Sequence, residues 1–237
     1  MADFLTTALG TSEVAHALKA PLITMEKALS LLREPGTGPL TDTQRKFLAI
    51  AERNLGLVSS VLGDFLDLAR LDTGNLRLLR KPGAVDGVAR QIVQETQISA
   101  AAKHLTITLA PVADGAALPP AAFDPSRLAQ AVAHVMTYAV AAAPANGVIT
   151  VETRARAPWV EIVITASGVI LSPEALEHLF ERHIPSDGKA DAAGFGLGLP
   201  LAKGLIELHQ GRIAATSDHA GTTWVLSLPV ERSAPGP

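Results

Sequence analysis

Apolar residues at Leu18, Leu22, Met25, Leu29 and Leu32 recur at steps of 4, 3, 4 and 3. That spacing puts them on one stripe of a helix over residues 14–32, with Thr11 or Ser12 placed to cap it. The stretch "REPGTGPL" (33–40) breaks the pattern with two prolines and two glycines, which force a turn. Asp42 is placed to cap a second helix. Leu48, Ala51, Leu55, Val58, Leu62, Phe65 and Ala69 then alternate steps of 3 and 4 as far as about Leu71. Two long helices joined by a short loop make an antiparallel hairpin. Leu57, Val61, Leu66 and Leu68 widen the apolar face beyond what one hairpin covers. Pairing with a second copy would complete a four-helix bundle; packing against the rest of the chain is the alternative.

After Asn75 the period changes. The pattern predicts short strands at Leu76–Leu79 and 105–110, and a helix from Ala84 to Ala102. Residues 111–120 read as loop. Asp124 followed by Pro125 supplies an acceptor at the cap and a proline at the first helical position, starting a helix that runs to about Ala142. Two strands flank a turn at Arg156–Pro158. Helices follow at Pro173–Arg182 and Gly198–His209, and "GRIAATSD" and "TTWVLSLPV" close the chain as strands. The expected class is α+β: a helical hairpin, then a two-layer α/β sandwich rather than a doubly wound sheet.

Composition narrows the chemistry. Of 237 residues, 48% are hydrophobic but only 4% aromatic, so the core is aliphatic. The net charge of -3 gives no bulk attraction to nucleic acid. The absence of cysteine excludes disulfides and thiolate metal sites, which fits a reducing cytoplasm. No apolar run reaches membrane-spanning length, and no secretory signal pattern opens the chain.

The most specific stretch is "GFGLGLPLAKGLIELHQGRI" (194–213), where Gly194, Gly196 and Gly198 precede a helix. Glycines admit close backbone approach, and free N–H groups at a helix start hold phosphate. "AHALKAPL" (15–22), "DPSRLAQAVAHVMTYA" (124–139), "ITASGVILSPEALEHLFERH" (164–183) and "GFGLGL" stand in the order of four motif blocks. In these blocks the chain resembles the sensor histidine kinases of two-component systems, from Ser12 to Val230. The resemblance implies an extension (1–11), a dimerisation and histidine-phosphotransfer hairpin (12–74), an ATP-binding sandwich of the Bergerat type (75–232) and a tail (233–237). It marks His16 as the phosphoacceptor and Gly194, Gly196 and Gly198 as a residual phosphate loop.

The departures from the family pattern bear on activity. Ala17 replaces the acidic residue that follows the histidine, and Ala20 stands where many relatives position an attacking water with Thr or Asn. Tyr138 occupies the place of the magnesium-binding asparagine, and His134 that of an earlier asparagine. A neutral phenol is a poor ligand for a hard cation. Ala166 replaces the aspartate that recognises adenine, and Ile170 replaces a glycine and is expected to intrude into the pocket. No Asn, Asp or Glu lies between Ser126 and Ala145 or between Ile162 and Pro173, so a small shift of alignment restores nothing.

The expectation is a cytoplasmic, homodimeric histidine-kinase-like protein without autokinase activity. It would need no cofactor and no metal, and would dock the receiver domain of a response regulator or another histidine kinase. An imidazole can accept a phosphoryl group from an acyl phosphate without ATP; the competing account of His16 is an inert relic. An active kinase using ATP and Mg through atypical residues, and a non-catalytic scaffold, are the other readings. His178 and His183 lie five apart, off one helix face, and read as surface residues. His104, His209 and His219 fall at element ends, Lys189 reads as solvated, and Trp159 and Trp224 as packing.

Overall fold

The computed structural model describes residues 8–112, 117–182 and 196–231. The chain divides into two compact units, Met1–Leu76 and Arg77–Pro237.

The first unit is a helical hairpin of α1 (Ala8–Leu31) and α2 (Asp42–Asp72), joined by a short 3-10 turn at Pro35–Thr37. Thr11 and Ser12 lie inside α1 rather than capping it. Pro21 also lies within α1. The cap of α2 is Thr41, not Asp42: its hydroxyl accepts the Gln44 N–H while the Gln44 side chain accepts the Thr41 N–H. This reciprocal pair satisfies two amides that the helix leaves open and is worth about 1 kcal/mol. Asp42 follows as the first helical residue and pairs with Arg45 at 2.6 Å. Across the hairpin, the Arg33 guanidinium holds both carboxylate oxygens of Glu52 at 2.8 and 2.6 Å.

The second unit is a five-stranded sheet of order β2-β4-β5-β7-β6, with β2 (Thr106–Leu109), β4 (Val148–Arg156), β5 (Trp159–Ser167), β6 (Arg212–Ser217) and β7 (Gly221–Pro229). β2 and β4 run parallel, and the other pairs are antiparallel. One face, carrying Ile149, Val151, Ile162, Ile164, Trp224 and Leu226, is buried. It packs beneath α3 (Val85–Ala100), α4 (Pro125–Ala142) and α6 (Gly198–Leu208). The period-2 alternation puts the polar set on the opposite face. There Thr108, Thr150, Thr165, Thr223 and Thr216 form one row across all five strands. Another row places Glu161, 1% exposed, between the Arg154 guanidinium at 2.9 Å and the Ser227 hydroxyl at 3.2 Å.

Two further expectations of local structure fail. Leu76–Leu79 is not a strand: Leu79 donates its amide to the Asp124 carboxylate at 2.9 Å instead of to a ladder. The strand is β1 (Lys81–Gly83), paired with β3 (Ala121–Phe123) in a separate two-stranded sheet. Both are three residues long, so neither shows alternation, and Pro82 is tolerated because a two-stranded sheet is all edge. The helix expected over 173–182 is the short α5 (Pro173–Glu177), which ends where the His178 amide turns back to Glu174 and Leu176.

Candidate functional site

Asp124 fixes the start of α4, the helix that carries His134 and Tyr138. Its side chain accepts the amides of Ser126 and Arg127 at the start of α4, as the Asp-Pro pair predicts. Burial pushes this carboxyl upward, but the Leu79 amide, the Ser126 hydroxyl and the two helix amides outweigh it and hold the group below its usual range. Its backbone N–H donates to Nε2 of His209 at 3.0 Å, while Nδ1 of His209 meets the Leu205 carbonyl at 2.7 Å. An amide can only donate and a carbonyl can only accept, so the ring is neutral with its proton on Nδ1. His209 is fully buried. Reading it as a residue at an element end missed this role, because Asp124 lies 85 positions away.

Burial lowers the His209 pKa, with Arg80 adding to the effect; the Leu205 carbonyl and Asp124 oppose it. The unfolded ring titrates near about 6.5, so below that value protonation favours the unfolded chain. The stabilisation is complete above about pH 6.5 and is lost as pH falls toward the folded value, with a slope of at most about 1.4 kcal/mol per pH unit. Urea unfolding between pH 5 and 8 should show this fall in the wild type and not in His209→Asn. His178 works in the opposite sense, its pKa raised by the hydrogen bond to Glu181, so the difference between wild type and variant isolates His209.

A cavity of about 570 Å³ opens between α4, α5 and the start of α6. Its walls include His134, Tyr138, His178, Arg182, Gly196 and Gly198. Thus Gly196 and Gly198 do border a cavity together with the two positions that depart from the family pattern on α4. Gly196 has φ +68, a conformation that favours glycine. Gly198 makes a close approach instead: a Cβ there would lie 2.8 Å from Nδ1 of His134, so the imidazole would have to shift. Gly194 lies outside the described residues. His16 lies within α1, and its side chain is outside what is described.

The carboxylates that line the cavity, Glu174 on α5 and Glu181 just beyond it, lie on one side of it. From α4 it is lined by His134, Thr137 and Tyr138, with no amide or carboxylate oxygen among them. Hard divalent cations prefer such oxygens. The Tyr138 ring stands edge-on to Trp224, with centroids 5.8 Å apart at 73°, which ties the phenol into the packing. Ala166 is fully buried on β5 and offers only a methyl group. Thr222, also fully buried, commits its hydroxyl to the Val169 carbonyl at 2.6 Å. Ile170 corrects the sequence reading: it is 65% exposed and is not part of the cavity wall. Among the described residues, no group of three His, Asp or Glu side chains is arranged to hold a metal ion.

Two family models match the chain. The model of the His Kinase A (phospho-acceptor) domain matches residues 11–74. That of the histidine kinase-, DNA gyrase B- and HSP90-like ATPase matches residues 123–232. The chain belongs to the sensor histidine kinase family. Histidine protein kinase DivJ of Caulobacter vibrioides is 30% identical over 227 residues, covering 92% of this chain and 36% of that protein. Adaptive-response sensory kinase SasA of Synechocystis is 26% identical over 225 residues, covering 92% of this chain and 58% of that protein. The chain therefore spans well under two thirds of either kinase. Full-length ShkA, crystallised in complex with AMPPNP, shares the fold with a TM-score of 0.80 at 23% identity, over 97% of this chain and 47% of that one. Among the described residues of this histidine kinase relative, no helix is long and apolar enough to cross a membrane.

Proposed function

We propose that this histidine-kinase relative works in two-component signalling without charging its own histidine from ATP. It accepts a phosphoryl group at His16 from the receiver domain of a response regulator. The observation that carries the reading is the pair of replacements at the family's ligand positions. Tyr138, packed edge-on to Trp224, stands for the magnesium-binding amide, and Ala166, fully buried, stands for the adenine-binding carboxylate. In the transfer the P–O bond to the receiver aspartate breaks and a P–N bond forms at the neutral imidazole. The aspartate leaves as a carboxylate, and the ring proton goes to water. The receiver supplies its own magnesium.

The protein acts as a cytoplasmic homodimer, with residues 12–74 as the dimerisation and phosphotransfer unit and residues 75–232 as a degenerate ATP-binding unit. Exposed apolar side chains on both helices of the hairpin support the dimer: Met25 is 54% exposed, Phe47 67% and Ile50 56%. A second copy would cover them in a four-helix bundle.

The purified full chain incubated with magnesium and γ-labelled ATP should acquire no acid-labile phosphate. Incubated with a receiver domain carrying labelled aspartyl phosphate, it should acquire label, and His16→Gln should acquire none. Label from ATP would favour a second reading, an ATP-dependent autokinase with atypical residues, which the kinase names of the relatives support. Label from neither donor would leave a regulator that only docks.

A further inference from the structure

The segment that enters the second unit is held at three points. Leu79 donates its amide to the Asp124 carboxylate at 2.9 Å. The Arg80 guanidinium donates to the Leu208 carbonyl at the end of α6. Lys81–Gly83 then pairs with Ala121–Phe123, directly before Asp124. Leu79 itself is 76% exposed, so its side chain does not anchor it; the amide does.

The same residues join α4 to α6. Asp124 caps α4 and gives its N–H to His209, the cap of α6, which is bonded back to Leu205. At the other end of the pair, Gly198 opens α6 against the imidazole of His134 on α4. The two helices are therefore tied at one end through His209 and approach each other closely at Gly198, and both border the cavity.

We propose that His209 is a positioning residue, the joint through which the entering segment is registered to both α4 and α6, so that displacing Leu79 and Arg80 shifts the two helices together. The Asp124 carboxylate that holds Leu79 is also held by the first amides of α4, and the backbone N–H of the same residue is held by His209. Arg80 adds a second tie, to the Leu208 carbonyl in the last turn of α6. The joint thus couples residues 79–83 of the second unit to the two helices that border the cavity. It does not depend on the phosphotransfer reading, since it concerns the transmission of position and not the chemistry transmitted.

Amide hydrogen exchange on the full chain, resolved by residue, tests this. In His209→Leu, which keeps bulk and loses both ring hydrogen bonds, exchange at Leu79 and Ser126 should quicken about tenfold or more. The sheet amides of Val163 and Val225 should stay at wild-type rates, and His209→Gln, which restores an acceptor, should slow Leu79 again. An unchanged Leu79 amide, or equal acceleration across the sheet, would overturn the proposal. Arg80→Ala removes an exposed side chain and tests the joint should His209→Leu not fold. It should quicken exchange at Leu79 and at the His209 amide alike, and an effect confined to one of the two would count against coupling.

Discussion

Ala166→Asp, which restores the family's carboxylate, is expected to destabilise the second unit by about 3 kcal/mol or more, because it places an unpaired charge in a closed interior. Ala166 is fully buried, its carbonyl lies 2.3 Å from where a Cβ on Gly221 would stand, and its register partners are Ile149 and Thr222. The Thr222 hydroxyl already donates to the Val169 carbonyl at 2.6 Å. The new carboxylate would therefore take a proton or strain the strand. Urea unfolding with and without millimolar magnesium-ATP separates the accounts. A ligand at one hundred times its Kd returns about 2.7 kcal/mol. The expected outcome is a destabilised variant that nucleotide does not rescue, because the neutral phenol of Tyr138 still stands where the family places an amide oxygen. Rescue approaching that size would show that the purine pocket persists beneath a single missing group, and would count against the phosphotransfer reading.

Trp224→Ala should cost about 3–5 kcal/mol, the range for truncating a large buried aromatic. Trp224 is fully buried at the centre of the covered sheet face. Its loss would leave a void and also release the edge of Tyr138, an aromatic contact worth about 1 kcal/mol. Trp224→Phe is the informative companion. Nε1 of Trp224 has no hydrogen-bond partner among the described residues, and removing a buried donor without a partner recovers about 1–3 kcal/mol. Phenylalanine should therefore lose less than half of what alanine loses, despite its smaller volume. Equal losses in the two variants, measured by urea unfolding, would mean that the indole N–H contributes to stability as a partnered donor would.

Much of the fold was legible because its signals are local. The seam from Leu18 to Leu32 and the one from Leu48 to Ala69 identify the hairpin helices. Asp124 and Pro125 start α4 where expected, and its last residue, Ala142, is the one anticipated. The alternation in 148–156 and 159–167 marks two strands joined by a tight turn. The departures at Tyr138 and Ala166 were also readable, since they are identities at motif positions. What escaped was set by partners distant in the chain. The three-residue strands β1 and β3 are too short to carry a period and exist because they pair with each other. Thr41 displaced Asp42 as a cap because Gln44, three residues on, completes a reciprocal box that Asp42 cannot form. Ile170 points to solvent because the chain leaves β5 after Gly168, at φ +75, a turn that side-chain volume alone does not disclose.

The amino-acid sequence by itself determined the helical hairpin, the mixed sandwich, the family and the departures from the family pattern at Tyr138 and Ala166. Each of these follows from residue identity or from a period confined to one element. Only the tertiary structure decided that His209 is neutral and buried between α4 and α6, that Gly198 yields its space to His134, and that Tyr138 is tied to Trp224. Those facts depend on side chains brought together from 60 to 90 residues apart by the closing of the sheet, and no local pattern encodes which of them will meet.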